Sequence, residues 1–230
     1  MYDHVFFDAD GTLFDFMAAE KWAISHLLTE LELTADEEAT DTYSRINNGV
    51  WLEFEQGLIS MEMLKTERFR RFHRHYGIER DPHHSATRYA QLLGQTFHLY
   101  DDAIPVLDAL FEAGMPMTLI TNGISAVQRG RLEASGTAKY FTAVVISEEI
   151  GIQKPEVGYF TKAIEMATRH GAKASSPLVV GDSITSDIRG GIAASLDTCW
   201  VNRFGMRADR LSLPTYEITT LYDLMPILKR

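Results

Sequence analysis

The stretch Val5-Phe6-Phe7-Asp8-Ala9-Asp10-Gly11-Thr12-Leu13 decides how this chain is read. Residues 2–7 form a short β-branched and aromatic run that stops at a carboxylate, with Gly11 and Thr12 following as turn residues. That is the signature of a buried strand whose end carries acids. From Asp15 to about Phe97 the period becomes helical, with Trp22, Ile24, Leu27, Leu28 and Leu31 on one stretch and Trp51, Leu52 and Phe54 on another. Asp101 and Asp102 then mark a helix N-terminus, after which apolar runs at 117–120, 143–146, 178–180 and 198–201 alternate with amphipathic segments. Strands alternating with helices require a parallel sheet covered on both faces. The expected fold is α/β: a Rossmann-like parallel sheet from residues 1–15 plus 98–230, with residues 16–97 inserted after the first strand as a helical cap. Hinges are expected at 13–16 and 97–104.

The chain has 230 residues, 45% hydrophobic and 23% charged, enough to hold a core without metals or crosslinks as staples. Any metal is therefore expected to serve chemistry rather than folding. A formal charge of −10, from 22 basic and 32 acidic side chains, repels nucleic-acid phosphates and anionic membranes, so a nucleic-acid polymer is not an expected partner. No run approaches the roughly 20 apolar residues of a membrane span. Cys199 is the sole cysteine and the first residues lack the pattern of a secretory leader, which points to the reducing cytoplasm. His73, His75, His83 and His84 lack any Cys or carboxylate at zinc-site spacing and are expected to be solvated surface.

Four patches fall at or just past predicted strand ends, where an open parallel sheet places its ligands: residues 5–12, 119–123, Lys154-Pro155, and 179–183 running on to Asp187. If the first strand stays extended, Asp8 and Asp10 face one spot. Asp8, Asp10, Asp182 and Asp187 would then gather four negative charges, and like charges about 4 Å apart cost roughly 4 kcal/mol at an effective dielectric of 20. The cluster calls for a cation. Hard oxygen ligands with room for water and a phosphate suit Mg²⁺, and Lys154 adds a fixed positive charge. The Thr121 hydroxyl and backbone N–H groups near Gly11 and Gly123 are further donors for phosphate oxygens.

The ordered set of Asp8, Asp10, Gly11-Thr12-Leu13, Thr121, Lys154, Asp182 and Asp187 resembles the haloacid dehalogenase superfamily of phosphohydrolases across the whole core. The resemblance implies that Asp8 attacks phosphorus in line and that Asp10 protonates the leaving oxygen and later activates water. It also implies that Mg²⁺ is held by the Asp8 carboxylate, the Asp10 backbone carbonyl and Asp182, with Asp187 orienting metal-bound waters. Thr121, Asn122 and Lys154 would hold the phosphoryl group. Dehalogenating relatives lack an acid two residues past the nucleophile, so Asp10 favours phosphate esters.

More narrowly, Asn47-Asn48-Gly49-Val50-Trp51, residues 146–155 and Gly190-Gly191-Ile192-Ala193-Ala194 leading into residues 198–202 resemble the bacterial house-cleaning pyrimidine 5′-nucleotidases. That implies a pyrimidine nucleoside monophosphate as substrate. Trp51 stacking on the base with Asn47 or Asn48 at its edge, and Trp51 simply packing the cap with Phe54, are both open readings. So are a related phosphatase for phosphoglycolate or a sugar phosphate, and a phosphomutase. A phosphorelay receiver is disfavoured, because its acceptor Asp lies in a middle strand and no helical lid follows it. Cys199 and Trp200 are expected in the core, and Ser183 lacks the flanking glycines of a nucleophile elbow.

Overall fold

In a computed structural model describing residues 1–207 and 213–228, the apolar run at the start becomes β1 (His4–Asp8), buried along its whole length. Five strands follow: β2 (Met117–Thr121), β3 (Ala143–Ile146), β4 (Pro177–Gly181), β5 (Asp197–Val201) and β6 (Tyr216–Ile218). They form one sheet in the order β3-β2-β1-β4-β5-β6, and each neighbouring pair is parallel. The alternation of side chains builds a core on each face. Val5 and Phe7 meet Leu178, Val180 and Cys199 under helices α5 (Ala103–Glu112) and α10 (Leu224–Leu228), while Phe6 meets Ile120, Val145 and Val179 under α8 (Val157–Arg169). A strand covered on both sides tolerates apolar residues at every position, which is why β1 reads as a continuous run.

Between β1 and α5 the chain forms α1 (Phe16–Glu30), α2 (Glu37–Glu55), α3 (Met61–Tyr76) and α4 (Pro82–Gly94). Their starts follow from capping chemistry: Asp15, Asp36, Ser60 and Asp81 each accept a hydrogen bond from a backbone N–H of the first turn, and Pro82 occupies the first turn of α4. Gly77 ends α3 in the left-handed region at φ 65°. Ala23, Ile24, Leu27, Tyr43, Phe69, Phe72 and Tyr89 close a core of their own, joined by Ile124 and Val127 at the start of α6 (Ser125–Ser135). The two crossings between this helical block and the sheet run side by side, with Asp15 N donating to His98 O at 2.9 Å and Tyr100 N to Leu13 O at 3.0 Å.

Three expectations are corrected. β1 begins at His4 rather than Tyr2 and includes Asp8. His73 is buried rather than solvated, because its ring nitrogens hydrogen-bond to Arg80 O at 3.0 Å and Ser85 Oγ at 3.1 Å. The Asn47 amide is not open to a ligand: it donates to Glu20 Oε1 at 2.7 Å and accepts from Arg68 Nη1 at 3.1 Å, wholly inside the helical block. Trp51 packs edge-on against Phe54, with ring centroids 5.7 Å apart. Cys199 and Trp200 are in the core, as expected.

Candidate active site

The chain leaves β1 for β2 and β3 on one side, then returns to β4 on the other, so the order reverses between β1 and β4. A crevice opens at the carboxyl ends of strands there. Asp8 closes β1, Thr121 closes β2, and Asp182 follows directly on β4. Asp187 lies in the π-helical turn Ile184–Ile188, and Lys154 sits in the loop after the short helix α7 (Ser147–Ile150).

Lys154 is the hub. Its ammonium, 1% exposed, donates to Asp8 Oδ1 and Asp187 Oδ1, each at 2.6 Å, and to Ile120 O at 3.3 Å. Asn122 braces it: the amide oxygen accepts from Lys154 N at 2.8 Å and the amide NH₂ donates to Lys154 O at 2.8 Å. The Thr121 hydroxyl accepts from Gly123 N at 3.0 Å, and Tyr159 pins the end of β2 by accepting from Thr121 N at 2.7 Å.

Asp8, Asp182 and Asp187 bring carboxylate oxygens within 4.8 Å of one another. Two glycines make this approach possible. A Cβ on Gly11, which stands at φ +85°, would fall 2.2 Å from Asp182 Oδ2, and one on Gly181 would fall 2.3 Å from Asp187 Oδ2. The backbone helps as well: Ser183 N donates to Asp187 Oδ2 at 3.1 Å, and Trp200 Nε1 holds Asp182 O at 2.8 Å. Burial pushes the Asp8 carboxyl up to about 7, with the charges of Asp187 and Asp10 adding to the rise and Lys154 opposing it. Burial, then Asp8 and Asp187, drive Asp182 well above the usual carboxylate range. The same two anions hold Lys154 above the ordinary lysine value despite the burial that opposes charge. Three hard oxygen donors, with Asp8 and Asp187 buried and Asp182 half-buried, carry more negative charge than Lys154 alone offsets and are a donor set that fits Mg²⁺.

Asp10 departs from expectation. β1 ends at Asp8 and the chain bends at Ala9, whose carbonyl accepts from both Leu13 N and Phe14 N, so the alternation that would aim Asp8 and Asp10 at one spot is broken. The Asp10 carboxylate stands outside the three-carboxylate group. It pairs with Arg131 Nη1 through Oδ1 and accepts from Gln128 Nε2 through Oδ2 at 2.6 Å. Sequence reasoning missed both partners. The available signal was a polar pair at i, i+3 on the face of α6 that also buries Val127 and Leu132.

The helical block touches the site's rim. Thr185 Oγ1 donates to Glu55 Oε2 at 3.3 Å, Gln153 Nε2 to Phe54 O at 3.4 Å, and Lys65 pairs with Glu148, which also accepts from Ser125 N at 2.7 Å. Burial raises the Glu55 carboxyl above its ordinary value. A cavity of about 1100 Å³ separates α3 and α4 from α6 and α7, lined by Phe54, Met61, Lys65, Arg68, Ile124 and Gln153 among others. No helix among the described residues is long and apolar enough to cross a membrane.

The chain is similar to known proteins over its full length. It is 38% identical to the pyrimidine 5′-nucleotidase PynA of Streptococcus pneumoniae over 100% of this chain and 96% of that protein. It is 32% identical to the pyrimidine 5′-nucleotidase YjjG of Escherichia coli over 99% of this chain and 98% of that protein. Among solved structures, the putative HAD-hydrolase YfnB of Bacillus subtilis, bound to magnesium and revealing interdomain movement, superposes with a TM-score of 0.91 at 34% identity, covering 100% of this chain and 99% of that one. The model of the haloacid dehalogenase-like hydrolases matches residues 2–195, and with the acidic cluster at the sheet's switch point this shows that the chain belongs to the haloacid dehalogenase-like hydrolase family.

Proposed function

We propose that this protein is a Mg²⁺-dependent phosphomonoesterase that forms an aspartyl-phosphate on Asp8 and takes pyrimidine nucleoside 5′-monophosphates as substrates. The observation that carries the reading is the Lys154 hub: one buried ammonium within 2.6 Å of both Asp8 and Asp187. A cation so placed keeps Asp8 ionised as a nucleophile and faces the incoming phosphoryl oxygens, while Asn122 fixes its backbone. Asp8, Asp182 and Asp187, with the Asp10 backbone carbonyl, are the groups that would hold Mg²⁺, which when bound supplies charge neutralisation at the phosphoryl oxygens. The Thr121 hydroxyl and the N–H of Asn122 donate to phosphate oxygens. Asp10 gives a proton to the leaving oxygen, then takes one from the water that attacks the acyl phosphate.

Residues 16–97 act as the cap over the leaving group. The cavity beside Ile124 and Gln153, neighbours of the Thr121 and Lys154 loops, offers room for a nucleoside, and the similarity to two pyrimidine nucleotidases supports a pyrimidine as its base. The test is Mg²⁺-dependent phosphate release from UMP, dUMP, dTMP, AMP, phosphoglycolate and sugar phosphates, with Asp8→Asn as blank. Pyrimidine nucleotides should lead by at least about tenfold, roughly 1.4 kcal/mol in transition-state selectivity. A lead by another ester would keep the chemistry and reject the substrate; return of phosphate to a second hydroxyl would identify a mutase.

A further inference from the structure

We infer that Gln128 and Arg131 are positioning residues that aim the Asp10 carboxylate for its proton transfers. The inference rests on the acid–base reading of Asp10 above and goes beyond it by naming what orients that side chain. Arg131 is fully buried and pairs with one carboxylate oxygen, and Gln128, 1% exposed, donates to the other at 2.6 Å. Turning the carboxylate breaks one contact or the other. Each oxygen keeps a second lone pair for a leaving-group oxygen or a water.

Two observations distinguish this clamp from an ordinary ion pair. A Cβ on Gly123 would fall 2.3 Å from Gln128 Nε2, so the loop that carries Thr121 must be bare at that point for the amide to reach Asp10. The energetics of Arg131 are also poor for stability. Its guanidinium lies over the Phe14 ring at 4.4 Å, but Nε and Nη2 are buried without a hydrogen-bond partner among the described residues, as is Gln128 Oε1. Unmade bonds to a buried cation are unfavourable, and a buried ion pair replaced as a whole by apolar residues of similar volume is often neutral or stabilising. The arrangement therefore favours orientation of Asp10 over stability.

The experiment compares an alkyl ester, UMP or glycerol 3-phosphate, with p-nitrophenyl phosphate, whose leaving group departs with little help from an acid. The readout is kcat/KM, which reports the steps through departure of the leaving group. For Arg131→Met and Gln128→Met we expect a loss of at least about 10²-fold on the alkyl ester, the lower end of a general acid's contribution, and a distinctly smaller loss on the aryl ester. Arg131→Lys should recover part of the alkyl activity. In an Asp10→Asn background neither substitution should lower activity further, since both act through that carboxylate. If Arg131→Met does not fold, Gln128→Met and Gly123→Ala probe the same contact. Equal losses on both esters, wild-type kinetics, or effects that add to those of Asp10→Asn would overturn the inference. Wild-type turnover by Asp10→Asn itself would remove the acid–base reading, and the clamp's purpose with it.

Discussion

Replacing Gly11 by alanine separates backbone strain from carboxylate placement, because a matched control exists. Gly11 at φ +85° and Gly57 at φ +72° both occupy the left-handed region, but a Cβ on Gly57 would meet nothing within 4 Å, whereas one on Gly11 would stand 2.2 Å from Asp182 Oδ2. Alanine at either position carries left-handed strain of about 1–2 kcal/mol. At Gly11 the methyl also falls more than an ångström inside contact distance, so Asp182 or the turn must move, and overpacking of this kind costs about 1–3 kcal/mol more. Gly57→Ala should lose about 1–2 kcal/mol and Gly11→Ala about 2–5, each kcal/mol lowering the melting temperature by about 2–4 °C at this chain length. The displaced carboxylate is a proposed Mg²⁺ ligand, so the Mg²⁺ midpoint for phosphate release should rise at least about tenfold in Gly11→Ala, or 1.4 kcal/mol, and stay unchanged in Gly57→Ala. Thermal unfolding with and without Mg²⁺, together with a Mg²⁺ titration of activity, gives both quantities. Equal melting losses with equal Mg²⁺ midpoints in the two variants would refute the claim that this glycine exists to admit Asp182.

Asp8→Asn should abolish phosphate release while its circular dichroism stays that of the parent; turnover at the parental rate would reject Asp8 as nucleophile. Lys154→Met leaves buried Asp8 and Asp187 without their shared cation, and breaking such a group costs about 3–5 kcal/mol. Its melting temperature should recover more on adding Mg²⁺ than the parent's rises, and failure of Mg²⁺ to stabilise it would contradict the proposed ion site. Burial lowers His4 and His73 below the ordinary value of 6.5, so below that pH the unfolded chain binds protons that the folded chain refuses. Their stabilising effect is complete above pH 6.5 and declines on acidification. Since buried carboxyls with raised values, such as Glu20, contribute the opposite slope, the measurement is the difference in chemical-denaturation stability between the parent and a His4→Gln/His73→Gln variant across pH; a difference that does not narrow on acidification would refute it.

What could be read from sequence follows the range of the physics. Asp8, Thr121 and Asp182 were legible because each sits at or next to the end of an apolar run, and the parallel sheet brings strand ends together whatever the loops do. β6 was not, since Tyr216-Glu217-Ile218 is a three-residue edge strand, exposed at Glu217, with no apolar run to announce it. The direction of Asp10 was also out of reach. It depends on the bend at Ala9 and on α6, more than a hundred residues later, delivering Arg131 and Gln128. Asn47 failed for a related reason: an amide in a motif-like run is chemically suited to a ligand, but Glu20 and Arg68 from two other helices already satisfy it.

The position of Asp10 changes the electrostatics of the whole site. With all four acids facing one spot, a divalent cation and Lys154 would leave a residual negative charge, an unfavourable setting for a phosphate dianion. Arg131 offsets Asp10 separately. What remains is Asp8, Asp182 and Asp187 against the Lys154 ammonium, a net charge of minus two that one divalent cation cancels. A dianionic substrate then meets a neutral pocket whose nearest fixed groups are hydrogen-bond donors, and its own charge becomes the one uncompensated term. Without the divalent ion the raised Asp8 and Asp182 carboxyls repel the dianion when ionised and leave it no cation but Lys154 when protonated. Phosphate binding should therefore require the metal before any chemistry occurs: in calorimetry, inorganic phosphate should bind Asp8→Asn only weakly in the presence of chelator and measurably in Mg²⁺. Equal affinity in the two conditions would mean that Lys154 and the backbone donors suffice to hold the dianion, and that the balance of charges between Asp10 and Arg131 has no bearing on substrate entry.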